Sequence, residues 1–255
     1  MTSDSQVRAI FDRIAPVYDQ LNDWLSLGQH RVWKQMTLKW SEAKAGDVCL
    51  DLCCGSGDMA LLLGRQVGAS GRVYGVDFAP QLLAIAQERC DRVREHPPCH
   101  VAPAHDMGGC LRTRSQYPKP DICWVEADAL NLPFTDNFFD AATMSYGLRN
   151  VMDIPGCLQE LHRVLKPGAS AAILDFHRPS QPYGRAFQQW YLDNIVVPVA
   201  QQLGLREEYA YIAPSLERFP NGLRQVTLAR LAGFAIATHY PIASGMMGVL
   251  VVTKA

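Results

Sequence analysis

The sequence predicts an α/β protein built on a doubly wound, mostly parallel sheet that ends in an antiparallel hairpin. Two observations support this fold class. Short apolar runs alternate with helical patterns from residue 47 onwards, and the first run, "DVCLDLC", leads through a glycine turn into the helical stretch "DMALLLGRQVG". At the other end, "FAIATHYPIASGMMGVLVVTKA" contains two β runs joined by a short Gly/Ser turn, the pattern of a hairpin.

The elements between these ends follow the same alternation. After the first helix come the strand "RVYGVD", the helix "PQLLAIAQERCDRVRE" and the strands "ICWVEAD" and "FFDAATMSYG". The helix "IPGCLQELHRVLKPG", which its Pro-Gly pair is expected to stop, precedes the strand "ASAAILDF". A sheet of at least five parallel strands followed by a hairpin is the order expected of a class I methyltransferase.

We expect one domain over residues 1–255, because this length suits one large α/β domain with appended segments, and no internal repeat is present. Aromatic-rich helical patterns around residues 6–20 and 29–42 predict an N-terminal helical cap. The stretch 95–120 is rich in Pro and Gly without periodicity, which predicts an inserted surface loop. The predicted parts are the cap at 1–45, a cofactor-binding core at 46–182 that contains the loop, a helical substrate-side segment at 183–220, and a C-terminal helix and hairpin at 221–255.

Composition narrows the class of protein. The chain has 255 residues and is 48% hydrophobic, which is enough for a full core. Its net charge is −1 with both signs interspersed, so we expect no nucleic-acid partner. No apolar run approaches the roughly 20 residues that cross a bilayer, and the N-terminus lacks the features of a secretory signal. The cysteines, including adjacent Cys53 and Cys54, suggest reduced thiols and a cytoplasmic location.

Residues 50–60, "LDLCCGSGDMA", form a glycine turn between a strand and a helix. Gly55, Gly57 and Ala60 match the dinucleotide fingerprint G-x-G-x-x-A, which alone indicates NAD. Asp51 and Asp58, however, place carboxylates beside the position of the NAD phosphates. S-adenosylmethionine has an adenosine but no phosphate, and its amino group and sulfonium are cationic, so it fits the acids better. As an alternative, Asp58 is a helix N-cap and Asp51 a strand-end acceptor.

Two further carboxylates follow later strands. Asp77 ends "VYGVD" and is placed to bind the ribose hydroxyls of either cofactor. Asp128 follows the third strand and is placed to accept a hydrogen bond from the adenine amino group, with Ala129 contributing its backbone. Because the carboxyl ends of parallel strands lie at one edge of the sheet, these residues and the glycine turn predict an S-adenosylmethionine site there.

The chain resembles the quinone-biosynthesis C-methyltransferases, which methylate demethylmenaquinol and related precursors. The similarity extends over nearly the whole chain and is carried by "YDQLNDWLSLGQHRVWK", "LDLCCGSGD", "SYGLRNV" and "HRVLKPG". The forms "DLCCGSGD", "YLDNIVVPVA" and "SGMMGVLV" are most similar to the cyanobacterial and plastid branch, whose product is phylloquinone. The Cys53-Cys54 pair and the long loop at 95–120 depart from the family pattern.

The resemblance implies a function and a set of donor-binding residues. It implies C-methylation of a reduced demethyl-naphthoquinol, demethylphylloquinol, in the last step of phylloquinone biosynthesis. Demethylmenaquinol or a benzoquinol is the alternative acceptor, and an NAD-dependent oxidoreductase or a catalytically silent binding protein is the alternative class. The family's donor-binding positions correspond to Ser56, Asp77, Asp128, Ala129 and Ser145.

Methylation of a ring carbon requires the electron-rich quinol rather than the quinone. A phenolic hydroxyl has a pKa of about 10, so forming the phenolate at pH 7 costs about 4 kcal/mol, and the protein must offer a base or a cation beside the ring oxygen. Arg149 and Asn150 directly follow the fourth strand. We predict that Arg149 stabilises the phenolate or orients a water and that Asn150 binds the ring oxygen. Alternatively, Arg149 pairs with Asp153 and Asn150 makes a turn.

The predicted substrate-binding residues are Tyr18, Tyr146, His177 and Trp190. His177 and Asp175, which end the fifth strand, are also candidate bases. The aromatic segment around Trp190 predicts an apolar entrance for a prenyl tail, with core packing as the alternative. A lipid-soluble acceptor implies transient contact with a membrane, and a plastid protein without its transit peptide would be located in the chloroplast.

The loop at 95–120 contains one cluster of metal-ligating residue types. Cys99, His100, His105 and Cys110, with His96 nearby, match no usual zinc spacing. One loop that supplied all four ligands would also be strained, so we predict no metal. The sequence predicts no particular oligomeric state.

Overall fold

Seven strands form one sheet in the part of the chain that the structure describes. The computed structural model describes residues 26, 28–95, 121–179, 181–202 and 212–255. The helix expected around residues 6–20, Tyr18 and nearly all of the predicted loop lie outside these residues, so those expectations stay predictions, as does the division into cap, core and later segments. Within the described ranges, no helix combines the length and the apolar character needed to cross a bilayer.

The elements are numbered along the described residues. The strands are β1 Val48–Leu52, β2 Arg72–Asp77, β3 Ile122–Glu126, β4 Phe139–Ser145, β5 Leu165–Phe176, β6 Ile236–Ile242 and β7 Met247–Thr253. The helices are α1 His30–Trp40, α2 Asp58–Val67, α3 Pro80–Glu95, α4 Ile154–Val164, α5 Pro182–Tyr191, α6 Val197–Gln202, α7 Ile212–Arg218 and α8 Gly222–Leu231. A π-helical turn at Leu192–Val196 joins α5 to α6, and 3-10 turns cover Leu148–Asn150 and Ala243–Gly245.

The strand order is β3-β2-β1-β4-β5-β7-β6. Strands β1 to β5 pair in parallel, whereas β7 runs antiparallel to both β5 and β6. The predicted mostly parallel sheet with a C-terminal antiparallel hairpin is therefore confirmed. The winding direction reverses between β1 and β4, which is the position where open α/β sheets bind ligands.

Alternate residues of β1 face two different cores, as a doubly wound sheet requires. Leu52 packs in one cluster with Leu158 of α4, whereas Cys49 packs in the other with Leu63 of α2. Ala129, in the segment after β3, belongs to the first cluster. The core therefore supports the sheet edge at which the predicted ligand site lies.

Helix α4 is shorter than the sequence predicted. Asp153 caps its N-terminus by accepting a hydrogen bond from the backbone N–H of Gly156 at 3.1 Å. The predicted stop was the Pro-Gly pair at residues 167–168, but the helix ends at Val164 and β5 begins at Leu165, whose backbone is already extended. The β4–β5 register shifts just beyond this point, so the Pro-Gly pair lies in a strand irregularity.

Replacing Leu158 by alanine should lower the free energy of unfolding by about 2–5 kcal/mol. The reason is that the Leu158 side chain is fully buried in the core beneath α4. Leu223→Ala in α8 is the matched control, because this leucine is 84% exposed and its loss should change the free energy by less than about 0.5 kcal/mol. Urea denaturation followed by circular dichroism measures both, and equal effects would contradict the packing assigned to Leu158.

Candidate functional site

A cleft opens at the carboxyl ends of β1, β2, β3 and β4. It is lined by the β1–α2 turn, the segments after β2 and β3, and the turn after β4. The structure brings together these predicted site residues: Gly55, Asp77, Asp128, Ala129, Ser145, Tyr146 and Asn150. Lining residues that the sequence analysis did not include are mostly apolar: Leu52, Cys53, Val76, Phe78, Leu82, Ala127, Leu130, Gly147, Val151 and Met152.

Asp77 holds two turns of the cleft through its carboxylate. Its Oδ2 accepts a hydrogen bond from the backbone N–H of Gly55 at 2.8 Å, and its Oδ1 accepts one from the backbone N–H of Ala79 at 3.0 Å. The side chain is buried at the end of β2. Because a carboxylate oxygen can accept more than one hydrogen bond, this structural role is compatible with binding of ligand hydroxyls.

The segment after β3 forms another wall of the cleft. Asp128 is exposed, and its Oδ1 accepts a hydrogen bond from the backbone N–H of Leu130 at 2.9 Å. Ala129 beside it is buried. This bond fixes the backbone of the segment and places a carboxylate at the rim, next to the apolar side chains of Phe78 and Leu82. The arrangement suits a flat heterocycle with a polar edge.

Two unpartnered oxygen atoms face the cleft beyond β4. Ser145 Oγ and Asn150 Oδ1 are buried, and neither has a hydrogen-bond partner among the described residues. Asn150 Nδ2 donates to the backbone carbonyl of Tyr146 at 3.1 Å, which orients the amide. A buried polar atom without a partner costs free energy that a ligand can recover. This part of the cleft is therefore suited to a ligand whose polar groups can form hydrogen bonds with these two oxygen atoms.

Gly57 in the turn after β1 and Gly147 in the turn after β4 lie where a side chain would not fit. Gly57 has φ +86°, and a Cβ there would lie 2.6 Å from the Trp124 ring. At Gly147, on the facing turn after β4, a Cβ would lie 2.5 Å from Cys53 Cβ. The Gly57 contact packs the turn after β1 against β3, and the Gly147 contact packs the turn after β4 against Cys53 of the turn after β1. Gly57 therefore shapes the turn by packing and does not line the cleft.

Asp58 and Ser56 lie outside the lining of the cleft, and their predicted contact with the donor stays a prediction. Asp58 Oδ2 accepts a hydrogen bond from Lys34 Nζ at 2.7 Å, and Oδ1 pairs with Arg89. Arg89 also donates to the carbonyl oxygen of Ser56 at 3.1 Å and to its hydroxyl at 3.0 Å. Both residues are therefore turned towards α1 and α3. Lys34 belongs to the quoted "HRVWK" motif, but nothing local to the sequence indicated Arg89.

Asp51 lies beneath the cleft rather than in its lining. It is fully buried, and its Oδ1 accepts a hydrogen bond from the Thr143 hydroxyl at 2.8 Å. Its Oδ2 is buried and has no hydrogen-bond partner in the described ranges. Burial raises the pKa of Asp51 to about 7, although the Thr143 bond and the charge of Lys34 oppose this.

Arg149 does not line the cleft, so the predicted direct contact with a ring oxygen is not supported. Its guanidinium Nη1 donates to Ser215 Oγ at 2.7 Å, and its Nε lies 3.4 Å from Asp175 Oδ1. Its backbone N–H donates to Asp175 Oδ2 at 3.0 Å. The guanidinium therefore pairs with Asp175 and not with the alternative partner Asp153, which caps α4. Burial raises the pKa of Asp175 to about 6, and the charge of Arg149 opposes this.

His177 and Trp190 also lie outside the cleft lining. The His177 ring packs against His239 of β6, with ring centres 4.7 Å apart, and burial lowers its pKa. Trp190 is 53% exposed on α5 and stacks on Phe187 with ring centres 6.0 Å apart. Their predicted contact with the acceptor therefore stays a prediction. Tyr18 lies outside the described residues.

Metal-ligating side chains do not cluster in the described residues: no group of three or more His, Cys, Asp or Glu there could hold an ion. The sequence cluster of Cys99, His100, His105 and Cys110 lies outside those residues.

The strand order, the glycine turn after β1 and the carboxylates after β2 and β3 define a class I methyltransferase. Solved structures share this fold. A SAM-dependent methyltransferase from Aquifex aeolicus has a TM-score of 0.59 at 17% identity, covering 87% of this chain and 89% of that one. A Haemonchus contortus N-methyltransferase bound to S-adenosylhomocysteine has a TM-score of 0.58 at 15% identity, covering 87% and 52%. At sequence identities this low, the similarity to these structures establishes only the shared fold.

The chain belongs to the ubiE/COQ5 methyltransferase family, whose model matches residues 1–101 and 107–254. A relative from Nostoc punctiforme, named 2-phytyl-1,4-naphtoquinone methyltransferase, is 66% identical over 98% of this chain and 99% of its own length. A Synechocystis relative of the same name is 52% identical over 99% and 96%. An Arabidopsis thaliana relative, named 2-phytyl-1,4-beta-naphthoquinone methyltransferase, chloroplastic, is 48% identical over 97% and 87%. The predicted family and enzyme class are confirmed.

Replacing Asp51 by asparagine should stabilise the protein progressively, relative to wild type, as the pH rises from about 5 to 7. Folded Asp51, with its pKa raised to about 7, retains a proton that the unfolded chain loses near its usual pKa of about 4. The free energy of unfolding of the wild type therefore falls as the pH rises through this window, and Asp51 contributes up to about 1.4 kcal/mol of that fall per pH unit. Asparagine does not titrate, so the variant lacks this contribution.

Urea denaturation of both proteins at several pH values across this window measures the difference. The matched control is Asp193→Asn, which changes an exposed carboxylate on the π-helical turn. A difference between Asp51→Asn and wild type that stays constant with pH, or that decreases as the pH rises, would contradict the burial effect assigned to Asp51.

Proposed function

We propose that this protein transfers a methyl group from S-adenosylmethionine to a ring carbon of a reduced demethyl-naphthoquinol, converting demethylphylloquinol to phylloquinol. The observation that carries the proposal is the 66% identity, over almost the full length of both chains, to the Nostoc relative. The cleft supports it, because carboxylates suited to an adenosine share one cavity with apolar side chains suited to a ring. Demethylmenaquinol and a benzoquinol stay as alternative acceptors.

The donor would supply an electrophilic methyl group on its sulfonium. We propose that Asp128 and the backbone of Ala129 hold the adenine, that Asp77 holds the ribose hydroxyls, and that Ser145 Oγ binds a polar group of the donor nearer the sulfur. Gly55 lines the cleft with open space where a Cβ would stand, so its backbone can approach the donor closely. Gly57, Ser56 and Asp58 would then act on the donor through the shape of the turn.

Asn150 is the proposed catalytic residue that touches the acceptor. It lines the cleft, and its buried Oδ1 can accept a hydrogen bond from the quinol hydroxyl. Such a bond polarises the O–H towards phenolate and orients the ring for attack on the methyl group. Arg149 is proposed as a positioning residue. Its backbone and guanidinium both bind Asp175, which fixes the 3-10 turn that carries Asn150.

An exposed apolar face of α5 is the proposed contact with the lipid surface that carries the acceptor. This aromatic stripe consists of Tyr183, Phe187, Trp190 and Ile195, which are 89%, 51%, 53% and 37% exposed. The π-helical turn places Ile195, five residues after Trp190, on the same face. Tyr and Trp are typical of membrane interfaces. The prenyl tail would enter from this side, in a protein that is otherwise cytoplasmic.

Methyl transfer from radiolabelled S-adenosylmethionine to a short-tailed demethyl-naphthoquinone should require a reductant, because only the quinol ring is electron-rich. Asn150→Ala should lower kcat by about 10²–10³-fold, while binding of S-adenosylhomocysteine stays within about twofold. Arg149→Lys should also lower kcat, because lysine cannot reproduce the guanidinium contacts. Arg163→Lys, at an ion-paired arginine outside the cleft, is the matched control and should keep full activity.

Two outcomes would overturn these assignments. Label transfer at the same rate without reductant would contradict the quinol chemistry. No transfer to any naphthoquinol by a protein that binds the donor would contradict the acceptor class.

Replacing Phe187 and Trp190 together by serine should abolish most binding to phosphatidylcholine/phosphatidylglycerol vesicles in a sedimentation assay. Turnover of a short-tailed, water-soluble acceptor should stay unchanged, since the stripe lies outside the cleft. Leu231→Ser, at a leucine that is 73% exposed on α8, is the matched control. Equal vesicle binding by wild type, the double variant and the control would contradict the proposed lipid contact.

A further inference from the structure

A second cavity lies between helices α1, α2 and α3, and it shares no lining residue with the cleft assigned to the donor. Its volume is about 510 Å³, which is large enough for a small organic ligand. Each helix presents one face to it, because lining residues recur three positions apart: Arg31 and Lys34 in α1, Leu62 and Arg65 in α2, and Arg89 and Arg92 in α3.

Positive charge dominates the lining of this cavity. Among the described residues that line it, one carboxylate, that of Asp58, accompanies five basic side chains: Arg31, Lys34, Arg65, Arg89 and Arg92. The chain as a whole has a net charge of −1, so basic residues are concentrated here. A concave site lined by one sign of charge attracts ions of the opposite sign. The cavity therefore favours an anionic ligand.

Asp58 already binds two of these cations. Its Oδ2 accepts a hydrogen bond from Lys34 Nζ at 2.7 Å, and its Oδ1 pairs with Arg89, so the three side chains link α1, α2 and α3. Arg65 and Arg92 are exposed, and neither forms a hydrogen bond or an ion pair with the described residues. Their guanidinium groups can therefore bind a ligand while the links between the helices stay intact.

The rest of the lining narrows the class of anion. A phosphate monoester carries about −1.5 to −2 charges at pH 7, so one phosphate can bind two guanidinium groups through charge-assisted hydrogen bonds. A carboxylate brings a single charge. Leu61, Leu62 and Val93 form an apolar wall of the same cavity. A free phosphate ion would leave that wall without a contact, whereas an ester with an apolar group would cover it.

We propose that this cavity binds a phosphate ester that carries an apolar group, with Arg65 of α2 and Arg92 of α3 donating to the phosphate. The organic part packs against Leu61, Leu62 and Val93. The headgroup of an anionic phospholipid and a soluble alkyl or prenyl phosphate share this chemistry. The site is separate from the cleft, and it does not depend on the function proposed above.

Titration of the protein with hexyl phosphate, followed by ³¹P NMR, tests the site. Replacing Arg65 and Arg92 together by glutamine should raise the Kd about tenfold or more, because the phosphate loses both guanidinium groups. The matched control replaces Arg224 and Arg230, two exposed arginines of α8, by glutamine and should leave the Kd within about twofold. Inorganic phosphate should bind the wild type more weakly than hexyl phosphate, because it does not contact the apolar wall.

Vesicles distinguish the two sources of the phosphate. If binding to phosphatidylcholine/phosphatidylglycerol vesicles weakens together with binding of hexyl phosphate in the double variant, the natural ligand is a lipid headgroup. If only hexyl phosphate binding weakens, the ligand is a soluble ester. Both results support the site. Methyl transfer to a short-tailed acceptor should be unchanged in the double variant, since the cavity shares no lining residue with the cleft.

Equal Kd values for hexyl phosphate in the wild type, the double variant and the control would overturn the proposal, as would a wild type that does not bind it. Equal affinity of the wild type for inorganic phosphate and hexyl phosphate would overturn the assignment to an ester. If the double variant does not fold, Arg65→Gln and Arg92→Gln must each weaken binding of hexyl phosphate, and unchanged binding by both single variants overturns the site.

Discussion

The carboxylate of Asp77 is the constraint on which the site depends. It binds the backbone N–H groups of Gly55 and Ala79, so one side chain ties the turn after β1 to the turn after β2. Gly55 and Gly57 both have positive φ, and glycine backbone of this kind loses much conformational freedom when it is fixed. The bonds to Asp77 offset that cost at the sheet edge. Hydrogen bonds within the protein therefore hold the two turns of the cleft in place.

Asp51 and Asp58 differ in their tendency to ionise because their surroundings differ. Asp58 is bound by two cations, whereas Asp51 is fully buried and accepts a hydrogen bond from the Thr143 hydroxyl. Burial opposes ionisation of Asp58, but the charges of Lys34 and Arg89 outweigh it and lower its pKa. At Asp51 burial dominates and the pKa rises. Neighbouring acids of one short segment thus have opposite tendencies to ionise.

The fold class and the edge that holds the cleft were predictable because their signals are local. Apolar alternation marks the strands, and parallel strands bring Asp77 and Asp128 to the same edge. The directions of Asp58 and Arg149 were not predictable. Each pairs with a charged residue, 31 and 26 positions further along the chain, and no local pattern indicates such a partner. Side chains predicted to face a ligand were turned away by ion pairs that only the folded chain creates.

Strand β7 lies between β5 and β6 but follows both in the sequence. As the chain is synthesised, β6 is made before the strand that joins it to the sheet, and β5 keeps an unpaired edge until Met247–Thr253 is available. Strand β7 then pairs with β5 on one side and with β6 on the other. Completion of the sheet is consequently a late event in biosynthesis, and until then the nascent protein presents an open strand edge that chaperones can protect.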